Sequence, residues 1–403
     1  MPLKFRLPVR PFLRSDPGDW WLQPARSLRV CGMKTTRLEV TMCEVEPAVV
    51  RVLDVPAGVL LPELHDLLQA ALGWTDSHLH QFVAGDISYG MPDIDGPDDE
   101  RDESAVALRA LPDRLRYLYD FGDGWEHEVV VVGSGGDQPG VVAGEGACPP
   151  EDVGGPHGYV EFRRVMADPD QPEHEHIRTW AGSWNDGFDL DATDLLLRQT
   201  VGAVPAPVRL LLGLAADGVK LTPGGRLPRA FVREVQELHP SWNLSKRPAS
   251  IEEDLPPLAA LHDLLRHVGL LRLYKGTLSP TRAAVDDLEV IRRLKSWFSA
   301  GDGFVPILVS DALANLVVDG PCRPDELAAR LLPVLGDGWV TSQGQGLDAG
   351  RVRQELYGLQ SILVGLDLIQ SDKATWTAGP SALWLLPRAT ALADLWSKWH
   401  TSS

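Results

Sequence analysis

Two histidines one residue apart, His78 and His80, lie in a segment of strand-forming character, DSHLHQFVA. Residues at i and i+2 of a strand project to the same side, so both imidazoles are placed to share a metal ion. A second polar group follows in LRYLYDFGDGWEHEVVVV (115–132), where Asp120, Asp123, Glu126 and His127 crowd around Trp125. A third, GACPPEDVGGPHGY, brings Glu151, Asp152 and His157. Imidazole and carboxylate donors together suit a divalent metal, with His78, His80 and His127 as its nitrogen ligands. A metal so held lowers the pKa of bound water and supports hydrolysis, and a Glu/His pair alone supports acid–base transfer. The plainer reading needs no cofactor: these histidines and carboxylates cap strands and tie turns through backbone hydrogen bonds. That reading is preferred.

The elements that must position these groups are legible in outline. Leu115, Tyr117 and Tyr119 alternate with Arg116, Leu118 and Asp120, Val129–Val132 forms a far arm, and Phe121-Gly122-Asp123-Gly124 turns between them. Its glycines can take the positive φ of a short hairpin, and Gly122 is expected to do so. FGDG is no phosphate loop, because no Lys-Ser/Thr follows and no helix starts there. Residues 36–45 and 49–55 read as paired strands and Leu61–Leu72 as an amphipathic helix. Its buried stripe is Leu64, Leu67, Leu68, Ala71 and Leu72, with Glu63, Asp66 and Gln69 outward. Residues 92–103 read as a solvated acidic loop and 133–146 as a glycine-rich one. Strands first and helices after give an α+β class: a strand-helix-strand sandwich domain, then a mostly helical C-terminal region.

Charge divides the chain. The first 200 residues carry 17 Lys+Arg against 35 Asp+Glu, whereas residues 201–403 carry 21 of each. The acidic half would repel a phosphate backbone; the neutral half can bind one through a local patch. The division expected is an arm over 1–35, an α+β domain over 36–200, and a helical region over 205–403 with a Pro-rich linker at 240–257. The four cysteines form no CxxC pair, so neither a disulfide framework nor a cysteine zinc site is indicated. No apolar run reaches membrane-spanning length and the start lacks a signal core, which places the chain in the cytoplasm with no membrane partner.

An internal echo marks the second half. Helical residues 258–268 lead into GLLRLYKGTLSPT, and helical residues 352–364 lead into GLDLIQSDKATWT, each with a Thr twelve residues after the Gly. Helix, strand, charged turn and strand at that spacing predict tandem winged-helix-like units, with Gly218–Thr222 beginning a degenerate third copy. Lys275 at a wing tip and Arg292, Arg293 and Lys295 on the next helix are the nucleic-acid contacts such a unit would use. The neutral charge suits a protein partner at least as well.

LPELHDLLQAALGW, DSHLHQF, YDFGDGWEHEV and GEGACPPEDVGGPHGY, in that order over about 36–198, resemble the plasmid Ri open-reading-frame-three-like family, also called the insertion-element passenger TnpR-like protein. The resemblance implies a compact α+β fold and association with plasmids and mobile elements, and no established reaction. Members commonly carry a second cysteine where this chain has Val153, so no thiol pair operates there. The TnpR name suggests a recombinase. Yet none of the eleven histidines begins a His-x-x-Arg, and the first 100 residues read as strand–helix–strand with acidic loops instead of the α/β domain that carries an early serine nucleophile among arginines. Neither a serine nor a tyrosine recombinase fits. The sequence points to a non-enzymatic binding or regulatory protein that engages a protein or DNA partner through its C-terminal half. The second reading is a metal-dependent hydrolase with its His/Asp site near the hairpin.

Overall fold

The computed structural model describes residues 33–91 and 100–385, apart from 183, 246, 300–302, 336–338, 340–345 and 373. The expected N-terminal arm therefore lies almost wholly outside the described residues. The α+β class holds, with one large sheet in place of a sandwich. Its strands are β1 (Thr35–Met42), β2 (Val50–Pro56), β3 (His80–Ala84), β4 (Ile87–Gly90), β5 (Arg101–Asp102), β6 (Arg114–Tyr119), β7 (Trp125–Ser134) and β8 (Gly140–Glu145). They are ordered β5-β4-β3-β6-β7-β1-β2-β8, antiparallel except between β4 and β5. Strand β8 occupies much of the stretch read as a loop, and β5 ends the acidic one.

Alternation decides what the sheet buries. Leu38, Val40 and Met42 of β1 point into the core while Glu39 is exposed. Above this face lies helix α1 (Leu61–Leu72), started by the Glu63 carboxylate accepting the Leu60 amide and closed by Gly73 at φ 81°. Helices α2 (Gly155–Ala167), α3 (His174–Trp180) and α4 (Leu190–Val201) follow, and Tyr159, Phe162, Leu197 and Val201 complete this core.

A second core starts at Val204. It is built from α5 (Ala206–Leu214), β9 (Val219–Lys220), α6 (Arg229–Leu238), α7 (Pro256–His267), the β10–β11 hairpin (Leu271–Tyr274, Thr277–Pro280) and α8 (Asp287–Ser299). Helices α9 (Phe304–Val318), α10 (Pro324–Leu335) and α11 (Ala349–Gly365) and the β12–β13 hairpin (Ile369–Ser371, Trp376–Ala378) complete it. Both helix-to-hairpin segments form; the Thr281 hydroxyl donates to the Gly269 carbonyl at 2.8 Å, whereas in the second copy Gly365 ends α11 and Thr377 donates to the Gln370 carbonyl, so the Gly-to-Thr spacing has no common basis. Residues 218–222 start no third copy: β9 pairs with β11, closing a three-stranded sheet. Residues 240–257 are no linker either, since Trp242, Ala249 and Leu255 are buried in this core. Among the described residues no single helix is long and apolar enough to cross a membrane.

Candidate functional site

The buried face of α1 carries two polar residues, His65 and Gln69, among its leucines; Gln69, read as outward, is fully buried. Below them, cross-strand pairing on β3, β6 and β7 aligns two rows, His80–Tyr119–Trp125 and Phe82–Tyr117–His127. Burying polar groups is costly unless they are paired, and here they are. His65 Nδ1 lies 2.7 Å from the Tyr117 hydroxyl, which also accepts from Gln69 Nε2 at 2.9 Å. His65 Nε2 lies 2.7 Å from Asp76 Oδ1, while the Asp76 amide donates to Gln69 Oε1 at 2.9 Å. The His80 ring stacks on His65 with centroids 3.6 Å apart, and its Nε2 is 3.1 Å from Glu103 Oε1. Glu103, from the acidic stretch read as solvated, is only 2% exposed. One donor atom from each of His65, Asp76 and His80 lies within 4.8 Å of the others. The group forms the wall of an open pocket of about 800 Å³, shared with Glu103, Ser104 and His78.

The hairpin turn builds a separate group. Asp120 takes φ 54° and Gly124 φ 71°, whereas Gly122 stays outside the positive region, so the turn is secured differently from expectation. Asp120 Oδ1 accepts the amides of Gly122 (3.0 Å) and Asp123 (3.3 Å), an aspartate turn in a side chain 7% exposed. Asp120 Oδ2 faces His78 Nε2 at 3.5 Å, and Asp152 Oδ1 approaches the same nitrogen at 3.3 Å. Neither contact has hydrogen-bond geometry, which leaves this buried nitrogen without a hydrogen-bond partner among the described residues. The loop bearing Asp152 is fastened in place. Asp123 Oδ2 accepts the Gly154 amide at 3.0 Å, and Glu151 accepts from Tyr119 (2.5 Å), the Thr75 amide (3.2 Å) and the Thr75 hydroxyl. Gly155 must be glycine, because at φ 69° a Cβ there would sit 2.3 Å from the Asp123 carbonyl oxygen. Burial, and then Glu151, push the Tyr119 phenol up.

The site expected from His78, His80, Asp123 and His127 is not assembled. His78 precedes β3 instead of lying in it, and the two rings serve different groups. His127 is sealed in the core, its Nδ1 3.2 Å from the Tyr117 carbonyl and its ring edge-on to Trp74 at 5.3 Å. Burial lowers its pKa to about 4, so it remains neutral at ordinary pH. Trp125 is core, Glu126 pairs with Arg116 at 3.2 Å on the outer face, and His157 is exposed on α2 away from both groups. Sequence reasoning missed His65, Gln69, Asp76, Glu103 and Tyr117; two polar residues four apart within an apolar helix stripe were the available signal.

The basic face expected on α8 is turned inward. Arg292 donates to Glu63 of α1 through Nε (2.6 Å) and Nη2 (2.5 Å) and to the Gly58 carbonyl at 2.7 Å. Arg293 is held by Glu289 at 2.7 Å and by the Val268 carbonyl at 3.0 Å. Lys295 donates to the carbonyls of Thr200 (3.0 Å) and Val201 (3.4 Å), and burial lowers its pKa. Of the four cations expected to touch nucleic acid, Lys275 stays exposed at its hairpin tip, 5.2 Å from the Tyr274 ring.

Residues 34–196 match the family model described as plasmid pRiA4b ORF-3-like protein, and residues 206–290 match that of the Y4jL N-terminal domain. Protein y4hQ of Sinorhizobium fredii, named as uncharacterized, is 46% identical over 158 residues, and the match covers 36% of this chain and 80% of that protein. A crystal structure of a protein of unknown function, MM3350 of Methanosarcina mazei Go1, is 28% identical and aligns with a TM-score of 0.36. It covers 39% of this chain and 96% of that one.

Proposed function

The chain belongs to the plasmid pRiA4b ORF-3-like family, and on that premise we propose that it is a binding or regulatory protein whose α+β domain takes up a divalent transition-metal ion beneath α1. The observation carrying this reading is the convergence of two imidazoles and a carboxylate within 4.8 Å at an open pocket. Two nitrogens and one oxygen form a donor set suited to zinc-like ions, and pocket access leaves room for a further ligand. The surroundings supply what ligands of this kind require. Tyr117 fixes the tautomer and tilt of His65, and Glu103 does the same for His80. An ion would replace the proton shared between His65 Nε2 and Asp76 Oδ1.

The C-terminal half supports the partner-docking part of this reading. The order α5-β9-α6-α7-β10-β11 with a three-stranded antiparallel sheet is consistent with one winged-helix-like unit over 206–280. With Arg292, Arg293 and Lys295 engaged inside the molecule, a protein partner is favoured over DNA. Access to the pocket favours a second reading, metal-dependent hydrolysis at the same place, which assays on ester and phosphodiester substrates would separate from binding.

Titration of the full chain with Zn²⁺ tests the proposal. Binding at 100 times Kd would stabilise the fold by about 2.7 kcal/mol and raise Tm, and His80→Gln, which retains bulk and polarity, should remove that gain. A wild-type Tm indifferent to Zn²⁺, with no uptake at micromolar concentration, would end the reading.

A further inference from the structure

We infer that His78, Asp120 and Asp152 form a second divalent-cation site, independent of the one proposed beneath α1 and harder in its donor set. No donor is shared between the two groups, so this site does not require the first.

Three observations carry it. One donor atom of each residue lies within 4.8 Å of the others, from three separate segments: the lead-in to β3, the β6–β7 turn and the loop before α2. His78 Nε2 is fully shielded yet has no hydrogen-bond partner among the described residues, although it points between two carboxylates. A buried nitrogen left in that condition costs stability unless something else meets it. The carboxylates, in turn, lack a counter-charge. Asp120 commits Oδ1 to the turn amides and leaves Oδ2 facing the imidazole, and among the described residues no Lys or Arg pairs with Asp120 or Asp152. With the imidazole serving as a nitrogen ligand, the two carboxylates contribute a charge of about −2, which a dication neutralises.

The chemistry selects the class of ion. One nitrogen and two carboxylate oxygens favour a borderline-hard cation of the Mn²⁺ type over a thiophilic one. Asp152 is the solvent-facing partner in this arrangement, largely exposed where Asp120 is buried. The site is therefore preformed on two shielded donors, with Asp152 supplying the third from the solvent side.

The test is Mn²⁺ binding to the full chain, followed by the electron paramagnetic resonance of the free ion. Wild type should take up two ions. Asp152→Asn, an exposed and nearly isosteric change that spares the fold, should lose one of them or bind it at least about tenfold more weakly. His80→Gln should leave that ion in place. One ion sensitive to Asp152→Asn but not to His80→Gln would support this site, while the site beneath α1 stands or falls on the Zn²⁺ titration. One ion sensitive only to His80→Gln would support the site beneath α1 and sink this one. Unchanged stoichiometry and affinity in Asp152→Asn overturns the inference.

Discussion

Two helices in this molecule bury a histidine against a carboxylate, and their surroundings differ. On α1, His65 meets Asp76 at 2.7 Å beside a second imidazole and an open pocket. On α7, His262 meets Glu252 at 2.7 Å deep in the second core, where Glu252 also accepts the Leu227 amide at 3.4 Å. Among the described residues the second pair has no neighbouring imidazole in a ligand group, and it ties a 3₁₀ turn to a helix. The comparison teaches that a buried His–carboxylate pair is an ordinary fastening. It becomes a candidate for chemistry when further donors and a route to solvent are added.

The largest effect should come from breaking the sealed fastening. Glu252→Ala strands His262 and an amide in the core and should cost about 3–5 kcal/mol in denaturant unfolding, while Zn²⁺ uptake by surviving protein stays unchanged. Loss of Zn²⁺ binding in that variant would erase the distinction between the two pairs.

Acid and base should then act on the two cores with opposite signs. In the first core, His127 titrates near pH 4 folded against 6.5 unfolded, so the unfolded chain binds the extra proton between those values. Stability falls by about 3 kcal/mol as pH drops through that window, and His127→Phe should flatten the loss. In the second core, burial raises Asp367 from 3.8 to about 6, so its contribution is complete below pH 3.8 and is lost as pH rises through 6. At φ 58° asparagine is tolerated, and after discounting for partial exposure Asp367→Asn should stabilise by about 1–2 kcal/mol above pH 6. Melting curves at pH 4.5 and 7.5 decide both; equal pH slopes in variant and wild type would refute either assignment.

The smallest effect lies between the regions. Arg292 and Glu63 are each about one-quarter to one-third exposed, so Arg292→Ala should cost about 1 kcal/mol despite its bidentate geometry. A drop of ~2 °C in Tm checks it. No change would mean that this ion pair adds nothing measurable to the contact between the two cores.

Much of the scaffold was legible because hydrophobic period is local: α1 and the β6–β7 hairpin fall within a residue or two of their expected ends. What failed depended on remote partners. Residues 240–257 have the Pro-rich, charged look of a linker, yet Trp242, Ala249 and Leu255 find a core formed by helices before and after them. The site failed for the same reason. His78 and His80 share the expected spacing, but the strand begins at His80, so the i, i+2 rule never applied to the pair. Glu103 reads as one more acid in an acidic run, and only the fold puts it against His80. Asp120, by contrast, was identifiable because its role in the turn is set by its own neighbours.

The margins of the large sheet have a consequence for self-association. Unpaired strand edges invite another chain to add on, and both margins here discourage it. At one end β5 is only two residues long, and both Arg101 and Asp102 are charged and exposed. At the other, α4 lies along β8, and Asp194 of that helix takes the Val141 amide at 2.7 Å, occupying a donor that a neighbour's strand would need. Dimers or larger assemblies of this chain should therefore form through side-chain surfaces, and the eight-stranded sheet should remain a unit of one molecule even at high concentration.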